Sequence, residues 1–153
     1  MNTEKQVAPP VTWIGWFGGK YRWLSNFYPV EVTFDHVKFP TVEHAYQAAK
    51  TPHPGMYRRI QLAKTPAIAK KIGRQCSLPP HWETTKEVVM LFLLRQKFEQ
   101  PKFKSLLLAT GNADLVEGNT WGDIYWGVCR GVGKNRLGLL LMQVRTEIRQ
   151  AQT

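Results

Sequence analysis

The sequence predicts a single α+β domain that is mostly helical, with a small β-hairpin or sheet near its N-terminus. Helical patterns with recognisable cap residues recur from residue 41 onward. Period-two alternation, which is typical of strands, lies before residue 40. A length of 153 residues suits one domain with its own core. We therefore expect a flexible N-terminal arm over residues 1–10 and one domain over residues 11–150.

The strand signals lie in the first forty residues. Residues 11–17 are aromatic and β-branched, which predicts a strand that ends at Gly18-Gly19. Residues 30–34 and 37–39 alternate in period two around Asp35-His36. Asp and His tolerate left-handed backbone angles better than most residues. This stretch therefore predicts a hairpin.

The helix predicted over residues 41–50 has two distinct faces. Pro40 followed by Thr41 is a start signal, with the Thr41 hydroxyl as cap. The apolar face consists of Val42, Ala45, Tyr46 and Ala49, and the polar face consists of Glu43, Gln47 and Lys50. A carboxylate in the first turn is favoured as an anion by the helix dipole. The polar face is therefore either a functional surface or an ordinary solvated one.

Five further helices follow. They are predicted over residues 56–64, 66–73, 82–99, from 101 to Gly111-Asn112, and from 136 onward. Thr65 is the predicted N-cap of the helix over residues 66–73, and Pro66 is suited to its first turn. Gly73 is predicted to end that helix. The middle of the helix over residues 82–99 is apolar all round, which predicts a buried central helix. The last helix has the clearest amphipathic spacing, from Leu137 to Ile148.

Composition narrows the classes of partner. The net charge of +10 favours anionic partners, but the basic residues form no long run. The charge is therefore as compatible with a small phosphorylated substrate as with nucleic acid. The alternative is that the protein is basic without binding an anionic partner.

Cys76 and Cys129 lack CxxC spacing, which indicates a reduced, cytoplasmic chain. No zinc, P-loop or dinucleotide motif is present, so we predict neither metal nor cofactor. No membrane span is predicted either, because the longest apolar run, residues 88–94, is too short.

Two acids are candidates for chemistry. Glu43 begins a helix, and Asp123 lies in an aromatic, glycine-rich loop. A pair of carboxylates is the usual equipment for cleaving a glycosidic bond. Asp123 is alternatively a turn former.

Other candidates are weaker on their own. Gly133-Lys134-Asn135 precedes a helix and can cradle phosphate, although glycine before a helix is also ordinary loop chemistry. Trp82 and Trp126 can sandwich a base or pack in the core. Asn26, between aromatic residues, can present its amide to a ligand or close a turn.

An ordered series of short motifs runs through nearly the whole chain. They are Leu24-Ser25-Asn26-Phe27-Tyr28-Pro29, Glu43-His44-x-x-Gln47-Ala48-x-Lys50, Gly73-Arg74, Trp82, Leu115-Val116-Glu117-Gly118-Asn119, Asp123-x-x-Trp126-Gly127 and Gly133-x-Asn135-x-Leu137-Gly138-x-x-Leu141-Met142-x-x-Arg145. No single motif is specific, but in this order the series resembles the NADAR family of YbiA-like N-glycosidases, from about residue 15 to residue 149.

The resemblance implies hydrolysis of an N-glycosidic bond between a ribose phosphate and a nitrogenous base. The activities described for the family act on phosphoribosylamino-pyrimidine intermediates of riboflavin synthesis, or remove ADP-ribose from guanine in nucleic acid. The positions that match the family's functional residues are Glu43, Trp82, Asp123 and Trp126, and Lys50 matches the family's helix lysine. The alternative is a non-catalytic module that binds ADP-ribose or nucleic acid.

The resemblance also suggests roles for individual side chains. Glu43 would stabilise the cationic transition state or place water, and Asp123 would orient ribose hydroxyls or transfer a proton. Lys50 would form a Schiff base with the sugar carbon, or is simply a cation at a helix C-terminus. The remaining predicted substrate contacts are Asn26, Phe27, Arg74, Trp82, Trp126, Gly133 and Asn135.

Overall fold

The computed structural model describes residues 7–153, and over these residues the chain forms six α-helices and six short strands. The strands are β1 (Trp13–Ile14), β2 (Val32–Phe34), β3 (Val37–Phe39), β4 (Asp114–Leu115), β5 (Gly118–Asn119) and β6 (Val128–Cys129). The helices are α1 (Val42–Ala48), α2 (Pro54–Gln61), α3 (Pro66–Gly73), α4 (Trp82–Glu99), α5 (Pro101–Ala109) and α6 (Arg136–Ala151). The predicted mostly helical α+β class is confirmed. Residues 1–6 of the predicted arm lie outside the described residues.

The predicted hairpin is present. Strands β2 and β3 pair antiparallel with Val32 opposite Phe39. Asp35 and His36 form its turn with φ of 49° and 61°. These are the left-handed angles expected of the two turn residues.

The strand predicted over residues 11–17 is largely wrong, because only β1 forms. β1 pairs in parallel with β4, far along the chain, with Trp13 opposite Asp114. The Trp13 ring folds over Gly15, where an added Cβ would lie 1.9 Å from the ring. The backbone then turns into a 3-10 helix, Gly19–Leu24, instead of extending the strand.

Two strand pairs were not predicted from the sequence. β1 pairs with β4, and β5 pairs in parallel with β6, with Gly118 opposite Val128. Each strand has two residues, which is too short for an alternating pattern to be seen. These pairs fix the loops that follow α5.

Side-chain caps explain the starts of three of the six helices in residues 7–153, α1, α2 and α3. The Thr41 hydroxyl accepts a hydrogen bond from the His44 N–H at 3.1 Å and so caps α1. Thr65 caps α3 in the same way. The predicted start of α2 at residue 56 is wrong, because His53 caps the helix and Pro54 occupies its first turn. α2 ends at Gln61 rather than at residue 64.

The core takes buried side chains from all six helices and from strands β1 to β4. Every residue of α1 is buried. α4 packs on α1, α5, α6 and β2, but the prediction that it is buried all round is wrong. Val88 and Phe92 on its outer face are 67% and 49% exposed. No helix within residues 7–153 is long and apolar enough to span a bilayer.

A lysine lies inside this core. The Lys97 side chain is fully buried, and its Nζ donates a hydrogen bond to the Ser25 carbonyl at 2.9 Å. The rings of Tyr28, Phe98 and Phe103 lie within 6 Å of the ammonium nitrogen. Burial lowers the pKa of Lys97 to about 7. Ser25 precedes pocket residues Asn26 and Phe27, so this lysine anchors one wall of the site described below.

We predict that Lys97 makes stability depend on pH. Its pKa is about 7 when folded and about 10.4 when unfolded. The unfolded chain therefore binds more protons between these values, and the free energy of unfolding rises with pH across that window. The slope from this one group is up to about 1.4 kcal/mol per pH unit. Urea denaturation of wild type and Lys97→Met between about pH 7 and pH 10 measures it, and Lys97→Met should flatten the rise.

The exposed Lys102 on the next helix provides the matched control. Lys102→Met should leave the wild-type slope unchanged. Parallel pH curves for wild type and Lys97→Met would show that Lys97 keeps an ordinary pKa in the folded protein.

Candidate functional site

Most of the predicted site residues line one cavity of about 790 Å³. Five segments build it: the loop around the 3-10 helix, α1 with the residues after it, α3, Met90 of α4, and the segment from 117 to 126. Seven of the ten predicted residues line it, namely Asn26, Phe27, Glu43, Lys50, Arg74, Asp123 and Trp126. Residues distant in sequence thus meet around one space.

The structure does not bring the other three predicted residues to the cavity. Trp82 is buried with its ring centroid 5.5 Å from that of Tyr46, so it lies one layer behind the wall. Asn135 bonds the Glu117 N–H and the Leu115 carbonyl at 3.0 and 2.9 Å. Gly133 packs against Gly127, whose carbonyl oxygen would lie 2.1 Å from an added Cβ. The predicted phosphate cradle is therefore used to tie loops together.

Glu43 lies at the base of the cavity in the first turn of α1. Its side chain accepts a hydrogen bond from Gln47 Nε2 at 2.8 Å. Burial raises the pKa of Glu43, while Gln47, Lys70 and Lys50 act in the opposite direction. The alternative of a solvated polar face is wrong for this helix. Burial also opposes the helix dipole, which we expected to favour the anion.

The Gln47 side chain packs directly against a glycine on α3, Gly73. An added Cβ at Gly73 would lie 2.0 Å from Gln47 Oε1. The glycine predicted as a helix stop thus also gives room to the amide that holds Glu43.

Asp123 is held rigidly by the loop around it. One carboxylate oxygen accepts hydrogen bonds from the Tyr125 and Trp126 N–H groups at 3.1 and 2.9 Å. The Asn119 side chain bonds the Asp123 N–H and carbonyl at 3.1 and 2.8 Å. Asp123 therefore forms the turn, which confirms that reading, and it also lines the cavity, where its catalytic role stays a prediction.

Cationic side chains gather on one side of the cavity. Lys50 follows the end of α1, and its Nζ lies 5.1 Å from the Tyr46 ring centroid. Burial lowers the pKa of Lys50, Glu43 raises it, and Lys70 and Arg74 lower it further. The C-terminal half of α3 and the residue after it supply the remaining cations, which are Lys70, Lys71 and Arg74.

Aromatic and amide groups form the remaining walls. Trp126 packs edge-on against Tyr46 with centroids 5.5 Å apart, and Phe27 lies under the Lys70 ammonium at 5.9 Å. Asn26 is buried, and its Oδ1 has no hydrogen-bond partner among residues 7–153. Its backbone carbonyl accepts from the Glu43 N–H at 3.1 Å. An unused acceptor in a cavity wall is suited to a ligand donor.

Several lining residues were not predicted. Trp16 and Trp121 stand at the cavity with 63% and 62% of their surface exposed. Lys70 completes the cation group, and Glu117 adds a third carboxyl, whose pKa burial raises to about 8. Glu117 belongs to one of the quoted motifs, which was the available signal. Trp16, Trp121 and Lys70 carried none. No group of three or more His, Cys, Asp or Glu within residues 7–153 could hold a metal ion.

The chain is similar to known proteins over most of its length. The model of the NADAR domain matches residues 15–149. N-glycosidase YbiA of Escherichia coli (strain K12) is 42% identical over 132 residues, covering 84% of this chain and 82% of that protein. An N-glycosidase of Nostoc punctiforme is 36% identical over 137 residues, covering 84% and 86%.

A plant protein and a solved structure extend the comparison. The chloroplastic riboflavin biosynthesis protein PYRR of Zea mays is 40% identical over 144 residues, covering 82% of this chain and 23% of that protein. The NMR structure of YbiA from E. coli superposes with a TM-score of 0.84 at 37% identity, covering 97% of this chain and 92% of that one. By sequence and by fold, this chain belongs to the NADAR family.

Proposed function

We propose that this protein is an N-glycosidase that hydrolyses the bond between C1 of a phosphorylated ribose and the nitrogen of a base. One observation carries the proposal: Glu43 and Asp123 line one cavity of about 790 Å³ whose other walls are cationic and aromatic. Relatives named as N-glycosidases support the reaction class. Relatives named as riboflavin biosynthesis proteins support a phosphoribosylamino-pyrimidine as the substrate.

The two acids suit the two demands of this reaction. Breaking the bond builds positive charge on the ribose, and a poorly hydrated carboxylate at Glu43 stabilises that charge strongly. Asp123 is held by two backbone N–H groups on one oxygen. Its position is therefore fixed for orienting ribose hydroxyls or accepting a proton from the attacking water.

The remaining walls match the rest of such a substrate. Lys70, Lys71 and Arg74 present positive charge to a phosphate. Trp126 and Phe27 offer aromatic surface to the base. We assign Trp82 a supporting role, since it packs behind Tyr46. Cytoplasmic location completes the proposal and is supported by the two free cysteines.

ADP-ribose linked to guanine in nucleic acid is the second candidate substrate. It is favoured by the net charge of +10 and by the exposed rings of Trp16 and Trp121 at the cavity. Exposed aromatic rings beside basic groups are typical of surfaces that stack the bases of single strands.

We predict release of the free base, dependent on Glu43. The purified protein is incubated with a phosphoribosylamino-pyrimidine and, separately, with an oligonucleotide carrying guanine-linked ADP-ribose, and the products are followed by mass spectrometry. Glu43→Gln keeps the side chain's shape but removes its charge, so turnover should fall by at least about 10²-fold. Glu99→Gln, at an exposed acid outside the cavity, should be unaffected. Binding of either compound without base release from wild type would favour the non-catalytic module.

Salt should distinguish the two substrates. Binding to the oligonucleotide should weaken steeply as salt rises, because a polymer releases counterions from several phosphates. The small substrate should respond less. The measurement is KM for each compound between about 50 and 200 mM salt. Equal, shallow slopes would show that the protein contacts only the ribosyl phosphate and its base.

Lys50 should form a trappable adduct if it attacks the sugar. In a ring-opened ribosylamine the Lys50 nitrogen adds to C1, the base leaves with its nitrogen, and water then hydrolyses the Schiff base. Borohydride added during turnover should reduce that intermediate to a stable mass increase on Lys50. Lys50→Met should abolish the adduct, and the exposed Lys64→Met should not. An unmodified wild-type protein after trapping would exclude the covalent route.

A further inference from the structure

We propose that Glu117 is the general acid of this site and gives its proton to the nitrogen that leaves the ribose. The inference rests on the N-glycosidase activity proposed above and extends it by one residue and one step. Glu117 lines the same cavity as Glu43 and Asp123.

The backbone of Glu117 is locked in place from three directions. Its N–H donates to Asn135 Oδ1 at 3.0 Å, and its carbonyl accepts from the Val128 N–H at 2.9 Å. An added Cβ at Gly127 would lie 2.3 Å from that carbonyl oxygen, so the two chain segments pack without a gap. The loops after α5 thus fix the backbone of Glu117, from which its side chain lines the cavity.

Glu117 differs from the other two acids in having an uncommitted carboxyl. The Glu43 side chain accepts a hydrogen bond from Gln47, and Asp123 accepts two backbone N–H groups. Among residues 7–153, the Glu117 carboxyl makes no hydrogen bond and no ion pair with another side chain. A carboxyl without a donor or cation partner is free to carry a proton and pass it on.

The surroundings of Glu117 favour the protonated form. Burial, with smaller contributions from the charges of Asp123 and Glu43, raises the pKa of Glu117 to about 8 against the opposing effect of Lys70. Other charged groups of the cavity wall, on or after α1 and α3, are Lys50, Lys71 and Arg74. At neutral pH Glu117 therefore holds a proton. Burial raises the pKa of Glu43 as well, but Gln47, Lys70 and Lys50 oppose that rise. Glu117 has fewer groups that favour its anion, so of the two carboxyls it is the one suited to carry a proton.

Glu117 transfers its proton as the glycosidic bond breaks. The bond from C1 to nitrogen breaks, and its electron pair goes to the nitrogen, which takes the proton from Glu117. Water adds its oxygen to C1 and gives one proton to Asp123 or Glu43. That proton, returned through solvent, restores Glu117. The net reaction consumes one water and releases a ribose hydroxyl and a protonated base nitrogen.

The test compares two leaving groups across pH. One substrate is the phosphoribosylamino-pyrimidine, whose nitrogen needs a proton to leave. The other is a synthetic ribosyl 5-phosphate carrying 4-nitrophenolate, which leaves without one. With the first substrate, wild-type kcat/KM should fall as pH rises above about 8, because Glu117 loses its proton. In Glu117→Gln the fall in kcat/KM at high pH, the basic limb of the profile, should disappear. Its kcat should be about 10²–10⁴-fold lower than that of wild type. With 4-nitrophenolate, Glu117→Gln should keep the wild-type rate.

Glu117→Asp and Glu99→Gln are the companion variants. Glu117→Asp retains a carboxyl one methylene shorter, so it should keep the basic limb with an intermediate loss of kcat. It also keeps the proposal testable if the glutamine variant fails to fold. Glu99→Gln should match wild type throughout.

Each adverse outcome has a distinct meaning. Two outcomes in a folded Glu117→Gln protein would overturn the role of Glu117 alone. One is an equal loss of rate on both substrates. The other is an unchanged rate, with an unchanged fall above about pH 8, on the phosphoribosylamino-pyrimidine. Absence of base release by wild type from both the phosphoribosylamino-pyrimidine and the oligonucleotide carrying guanine-linked ADP-ribose would overturn the N-glycosidase proposal and this inference with it.

Discussion

The burial of a carboxyl group in the first turn of α1 constrains much of this structure. Glu43 is only 6% exposed, and removing such a group from water is costly unless donors and cations compensate. Gln47 supplies the hydrogen bond, and Gly73 leaves the space that Gln47 occupies. Lys50 and Lys70 supply the charge. Groups on or next to α1 and α3 therefore together compensate for the burial of one acid.

The fold was largely predictable where the signal is local. Caps at Thr41 and Thr65, the alternation around Asp35-His36 and the spacing in α6 depend on residues within a few positions of each other. The pairings of β1 with β4 and of β5 with β6 were not predictable, because two-residue strands take their definition from distant partners. The prediction that α4 is buried on all sides was wrong for a related reason. Its apolar residues face both core and solvent, and periodicity alone does not show which of them are covered.

The candidate site was predictable in two of its three acids, Glu43 and Asp123, and less so in its other groups. Glu43, Asp123 and Lys50 stand in the motifs of the resemblance, and the structure brings them to one cavity. Asn135 stands in the same series but ties the Glu117 segment to Leu115, because a motif does not separate a substrate contact from a loop contact. Trp16 and Lys70 reach the cavity through tertiary packing. Helix and strand patterns carry no information on such contacts.

The parallel pairing of β1 with β4 has a consequence for the order in which this molecule can be completed. Trp16 and Phe17 reach the cavity from a segment anchored on Asp114–Leu115, about a hundred residues later in the chain. Such a contact has a high loop-closure entropy and forms late in folding. On the ribosome, the hairpin and the first three helices can assemble while this wall is still absent. Reactivity towards a substrate is therefore acquired only when the second half of the chain has emerged and closed the cavity.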